Sequence, residues 1–215
     1  MFLPGARSLF LTLLILGQVM TGFAHAAQAV AAPPVILVFG DSVSAGYGLP
    51  PGKGWVTLLT QRLEAEGYRY TVVNGSISGD TTAGGRARLP ALLKQHEPAI
   101  VVLELGGNDA LRGGSLATTR ANLDTMVSTA QSGKAKVLVV GMQLPPNYGP
   151  AYVRDFNALF ESVAKARHAA VVPAFFADFG DDLALFQPDR IHPNVAAQSR
   201  LLDNVWPVLQ PMLHK

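Results

Sequence analysis

The sequence predicts a three-layer α/β/α sandwich around a parallel sheet, and two observations lead there. Apolar runs with almost no polar alternation, Val35–Phe39, Ala99–Leu105 and Ala135–Met142, read as strands buried on both faces. Between them lie stretches whose apolar residues recur at helical spacing, and strands alternating with helices imply parallel pairing with helices on both sides of the sheet.

In chain order, Val35–Phe39 is the first strand and stops at Gly40-Asp41-Ser42. Trp55–Glu66 carries Trp55, Leu58, Leu59 and Leu63 on one helical face, with Gly67 as a natural C-cap. Tyr70–Asn74 is the second strand. A helix over Thr81–Gln95 follows, its first half weakened by Gly84, Gly85 and Pro90. Ala99–Leu105 is the third strand, Leu116–Ala130 a helix, Ala135–Met142 the fourth strand, Tyr152–Arg167 a helix and Ala169–Val172 a short fifth strand. The last helix begins near Val195 and passes Trp206, with Pro207 as a candidate kink. The pattern as a whole is that of a flavodoxin-like fold.

Residues 1–26 stand outside this pattern. Arg7 supplies a positive start, Leu9–Val19 an apolar core too short to span a bilayer comfortably, and Ala24-His25-Ala26 the small residues of a cleavage site. Cleavage after Ala29 fits as well. This predicts a secretory signal, a periplasmic or secreted protein with no stable membrane insertion, and a single domain over 27–215. The chain has no cysteine, which excludes a lipoprotein signal and any disulfide. It has 17 Lys plus Arg against 15 Asp plus Glu, and the leader holds only Arg7 of these, so the remainder is near neutral despite a pI of about 9.0. No basic stripe marks a nucleic-acid partner, and a monomer is the default.

Several turns carry chemistry-bearing residues. Ser42 stands at the carboxyl end of the first strand, where open α/β sheets bind their ligands. Taken singly, Asp41 and Ser42 read as helix caps, Asn108 in Gly106-Gly107-Asn108-Asp109 as a turn residue and Gly79 as an ordinary loop glycine. Asp41, Asp80 and Asp109 read as helix-start or loop-ordering acids. His96, His168 and His214 lie in polar contexts and read as solvent-facing. Only Asp189 and His192 set a carboxylate at ligand spacing from a histidine, so no metal ligand set is visible and no cofactor is implied. Gly48–Gly54 fails as a phosphate loop, with three residues between glycines and Gly54 in place of Ser or Thr. No G-x-G-x-x-G follows the first strand, which leaves dinucleotide binding unsupported.

Taken together, Gly40-Asp41-Ser42, Ser76-Ile77-Ser78-Gly79-Asp80, Gly106-Gly107-Asn108-Asp109 and Asp189-Arg190-Ile191-His192-Pro193 resemble the four signature blocks of the GDSL, or SGNH, hydrolase family. The resemblance implies strand order 2-1-3-4-5, Ser42 as nucleophile, His192 as its base and Asp189 as the carboxylate behind the imidazole. It assigns the oxyanion hole to the backbone N–H groups of Ser42 and Gly79 and to the Asn108 side chain. These roles are chemically coherent. A serine hydroxyl needs a base, an imidazole with an ordinary pKa near 6.5 serves at neutral pH, and a carboxylate fixes its tautomer. The chain order Ser, Asp, His also occurs in α/β-hydrolases, but their nucleophile sits in G-x-S-x-G, and this chain reads Gly40-Asp41-Ser42-Val43-Ser44.

Within the family, Ala87–His96, Glu104–Asp109 and Asn147-Tyr148-Gly149 look like the bacterial periplasmic esterase group of thioesterase I, protease I and lysophospholipase L1. That implies aryl and short- to medium-chain acyl esters, acyl thioesters and lysophospholipids as small-molecule substrates. A carbohydrate O-acetylesterase is the alternative within the family, and a non-enzymatic periplasmic binding protein the alternative outside it. Leu111, Tyr148 and Phe186 are candidates to line an acyl groove. Arg190 stands where close relatives often have Gly.

Overall fold

A computed structural model describes Met1 and residues 32–144 and 146–215. The leader and both of its cleavage positions lie outside the described residues. Five strands form one wholly parallel sheet: β1 (Val35–Gly40), β2 (Thr71–Asn74), β3 (Ile100–Glu104), β4 (Lys136–Val140) and β5 (Ala170–Val172). Their order is β2-β1-β3-β4-β5, as the resemblance implied. Ile36, Leu37, Val38 and Phe39 are fully buried, which is why this stretch reads as an unbroken apolar run rather than an alternating one.

Five long helices cover the sheet: α2 (Trp55–Ala65), α3 (Thr82–His96), α5 (Leu116–Ser132), α6 (Pro150–Arg167) and α7 (Gln198–Leu209). On one side α2 packs against α7, and on the other α3 packs against α5 and α5 against α6. Gly67 follows α2 as expected, its N–H donating to Glu64 while that of Tyr68 reaches back to Leu63. The glycine pair in α3 proves to be packing rather than a break. A Cβ on Gly85 would lie 2.4 Å from Leu105 and 3.2 Å from both Met126 and Phe39, so its bareness seats α3 on the sheet. Pro90 sits inside α3, and α7 continues through Pro207 to Leu209. The last helix starts later than its sequence suggests, because Val195–Ala197 forms a separate 3-10 turn.

Two short helices are additions to the sequence reading: α1 (Ser42–Ala45) after β1 and α4 (Gly107–Leu111) after β3. They sit where the strand order reverses, since β1 and β3 are neighbours whose connections run to opposite sides. Such a switch point opens a crevice at the carboxyl ends of the strands. No described helix is long and apolar enough to cross a membrane.

Candidate active site

The nucleophile turn grows directly out of β1. Asp41 ends the strand and caps α1, its Oδ1 accepting the Val43 N–H at 3.1 Å. Ser42 is thereby the first residue of α1, 8% exposed, with its Oγ 2.8 Å from His192 Nε2. His192 Nδ1 lies 2.7 Å from Asp189 Oδ2. The other carboxylate oxygen, Oδ1, accepts the N–H groups of Ile191 and His192 at 2.9 and 3.0 Å. Partial burial pushes the Asp189 carboxyl up, but these N–H groups and the imidazole outweigh it and hold the group below its usual value. The result is an unbroken line of hydrogen bonds from hydroxyl to imidazole to ionised carboxylate. It can take a proton from Ser42 and stabilise the imidazolium that results.

Gly79 and Asn108 come to the same rim from β2 and β3. Gly79 has φ +79°, and a Cβ built on it would meet only Arg112 Nη2, at 4.0 Å. Glycine is required there by the left-handed backbone rather than by crowding. Among the described residues, neither the Ser42 nor the Gly79 N–H donates a hydrogen bond, so both are free to face a ligand oxygen. Asn108, second in α4, donates Nδ2 to Asp41 Oδ2 at 2.9 Å. Asp109 accepts the Thr82 N–H at 2.8 Å and the Thr82 hydroxyl at 2.6 Å, tying α4 to the start of α3. Asp80 accepts the Thr81 N–H and pairs with Arg88, whose guanidinium lies over the Phe39 ring. Both acids order loops, as expected.

Below the turn lies a group that sequence reading passed over. Glu104 is fully buried and pairs in register with Gly40. A Cβ on Gly40 would lie 2.4 Å from Glu104 Oε2, so only glycine fits. Oε2 accepts the Asp41 N–H at 3.3 Å and the Ser44 hydroxyl at 2.6 Å, and Ser44 Oγ in turn accepts Trp55 Nε1 at 3.2 Å. Burial, then the nearby Asp41 carboxylate, push the Glu104 carboxyl well above its usual range. Burial also pushes Asp41 up to about 6, against the pull of the Val43 N–H, of His192 and of the Asn108 amide. The signal was visible in the sequence as the one acid inside the apolar run Ala99–Leu105.

The His192 segment is irregular and held by side chains. Gln187 donates Nε2 to the Tyr47 and Pro193 carbonyls, and its backbone N–H bonds to the His192 carbonyl at 2.8 Å. The Tyr47 ring lies 4.6 Å from the imidazole, centre to centre. Gln198 accepts the Trp55 N–H at 3.0 Å and donates to the Pro193 and Asn194 carbonyls, joining α2, α7 and the segment. Leu111 and Tyr148 meet at the rim, where the Tyr148 hydroxyl reaches the Leu111 carbonyl at 3.3 Å. The Phe186 ring packs against Phe176 and Phe179. Arg190 has φ +59°, a left-handed backbone that favours glycine. Of the remaining histidines, His168 and His214 are exposed and His96 is half-buried.

Residues 38–200 match the GDSL-like Lipase/Acylhydrolase family. The esterase TesA of Pseudomonas aeruginosa is 54% identical over 183 residues, spanning 85% of this chain and 91% of that protein. The thioesterase 1/protease 1/lysophospholipase L1 of Escherichia coli is 39% identical over 184 residues, 86% of this chain and 87% of that protein. The crystal structure of a psychrotrophic esterase, EstA from Pseudoalteromonas sp., inhibited by monoethylphosphonate, superposes with a TM-score of 0.78 at 37% identity, covering 82% of this chain and 97% of that one. On the sequence match and the fold alike, the chain belongs to the GDSL-like lipase/acylhydrolase family.

Proposed function

We propose that this ester-bond hydrolase works through Ser42 and cleaves aryl esters, short- to medium-chain acyl esters and acyl thioesters, with lysophospholipids as further substrates. The observation that carries the reading is the Ser42–His192–Asp189 line of hydrogen bonds at 2.8 and 2.7 Å. Ser42 Oγ attacks the acyl carbonyl while His192 Nε2 takes its proton. The oxyanion is met by the Ser42 and Gly79 N–H groups and the Asn108 amide, donors in place before charge develops. His192 returns the proton to the departing alcohol or thiol, and water then releases the acyl group from Ser42 by the same route. Leu111 and Tyr148 line the acyl side, while Phe186 braces the His192 segment from the core.

The name of the Escherichia coli relative favours thioester and lysophospholipid chemistry over carbohydrate O-acetyl groups. The leader at residues 1–26 supports export, and a monomer acting on small molecules without metal is the working form. A fluorophosphonate probe, whose fluoride Ser42 Oγ displaces, tests the mechanism: the wild type is expected to carry one adduct on Ser42, and labelling that persists in Ser42→Ala overturns it. EDTA is expected to leave turnover unchanged. A profile on p-nitrophenyl esters of increasing chain length, set against acetylated sugars, decides the substrate class.

A further inference from the structure

Asp41 is 2% exposed, and its two carboxylate oxygens serve different elements. Oδ1 caps α1 through the Val43 N–H, as any capping residue would. Oδ2 accepts Nδ2 of Asn108 at 2.9 Å, a bond that belongs to neither helix. We propose that Asp41 is a positioning residue, clamping the Asn108 amide so that its second N–H faces the oxyanion of acyl transfer. This rests on the reading of Asn108 as an oxyanion donor.

An asparagine amide is nearly two-fold about its last torsion, and either its NH2 or its carbonyl oxygen can be presented to a neighbour. With the oxygen turned to the substrate, a lone pair would meet the developing oxyanion and oppose it. An ionised carboxylate only accepts, so only the NH2 end of Asn108 can lie against Asp41. One N–H is used in that bond, and the other remains on the same nitrogen with its direction fixed.

Two acceptor atoms are required on one short side chain, one for the cap and one for the amide. Serine and asparagine each offer a single oxygen, which cannot stand at the Oδ1 and Oδ2 positions at once. The carboxylate is itself anchored from below, where the Asp41 N–H donates to Glu104 Oε2 and Glu104 is held by the Ser44 hydroxyl. The charge of Asp41 works in the opposite sense, since a carboxylate near the oxyanion repels it. An effect through charge alone would therefore make Asp41→Ser faster, whereas an effect through the amide makes it slower.

The test is a double-mutant cycle on the full chain with a p-nitrophenyl ester, reading kcat, KM and Tm for Asp41→Ser, Asn108→Ala and the pair. Ser at 41 keeps the cap on α1, so Tm is expected to hold. Asp41→Ser is expected to lower kcat about tenfold with KM moved less than about twofold, because the clamped donor acts on charge present only in the transition state. In the Asn108→Ala background the same substitution should change kcat by less than about twofold. An equal loss in both backgrounds, or a faster Asp41→Ser, overturns the proposal. If Asn108→Ala keeps full kcat, the oxyanion reading fails and takes this one with it; if Asn108→Ala is slow and Asp41→Ser is not, only this one fails. Asp41→Asn serves where the Ser variant does not fold. Its single oxygen must forfeit either the cap, seen as a lower Tm, or the clamp, seen as a lower kcat, and retention of both overturns the clamp.

Discussion

The two halves of the site are built by different means. Asp41, Ser42, Glu104 and Asn108 issue from the ends of β1 and β3 and are buried or half-buried, so the sheet itself sets their positions. Asp189 and His192 ride on an irregular segment, with side chains 37% and 18% exposed, fixed by the bonds of Gln187 and Gln198 and by the Phe186 ring. Altering what supports the first half, Gly40 or Glu104, disturbs fold and chemistry together. Altering the second half is expected to cost chemistry more than stability.

The largest test removes the atom the two halves share. Ser42→Ala should lower kcat on the order of 10⁴-fold or more while leaving Tm within a degree or two. A large drop in Tm would mean that the nucleophile turn depends on the link to His192.

Acid should separate the halves by sign. The Asp41 carboxyl is raised from 3.8 to about 6, so the native state holds its proton more tightly than the unfolded chain. Its contribution to stability is full below pH 3.8 and is lost as pH rises through 6. Wild type compared with Asp41→Ser should therefore lose up to about 3 kcal/mol between pH 3 and 7, at 1.36 kcal/mol per unit. Glu104 is raised in the same sense, in part by the Asp41 carboxylate, so the comparison reads the pair together. Asp189 is held below its usual value, so its contribution is present at neutral pH and lost as the solution is acidified through its folded pKa. Denaturant unfolding of both proteins across this range, with Asp189→Asn as the opposite case, measures the contrast. A difference that does not change with pH would remove the burial argument.

Gln187→Ala probes the second half by itself. Releasing the bond to the Tyr47 carbonyl should lower kcat about tenfold through misplacement of the imidazole, with Tm nearly unchanged. Equal losses in Tm and kcat would mean that this half, too, is part of the core. The smallest effect is expected at Arg190→Gly. Relief of the left-handed backbone exceeds the added freedom of the unfolded chain, for a net gain of about 0.5 kcal/mol. Turnover should stay level, and a fall would give the Arg190 side chain a role in the site.

The sheet was legible in the sequence for a physical reason, whereas the candidate site residues stood out only through the resemblance of four separate blocks to one family. Strands buried on both faces cannot alternate, so Val35–Phe39 and Ala99–Leu105 announce themselves. Much of the support was not legible. α1 and α4 are too short for any periodicity to register, although they carry Ser42 and Asn108. Gln187 and Tyr47 are ordinary polar and aromatic residues whose meeting depends on a loop with no local code. Gly85 looked like a helix breaker because its packing partners Leu105, Met126 and Phe39 are remote in sequence.

Ser42 and His192 are 150 residues apart, and the later partner is seated by Gln198 at the head of the last helix. During synthesis, β1 to β4 can pair while Ser42 still has no base, because domains begin to form from the amino-terminal side as the chain emerges. A translation product that ends before His192 thus has no imidazole against Ser42, whatever part of its sheet has formed.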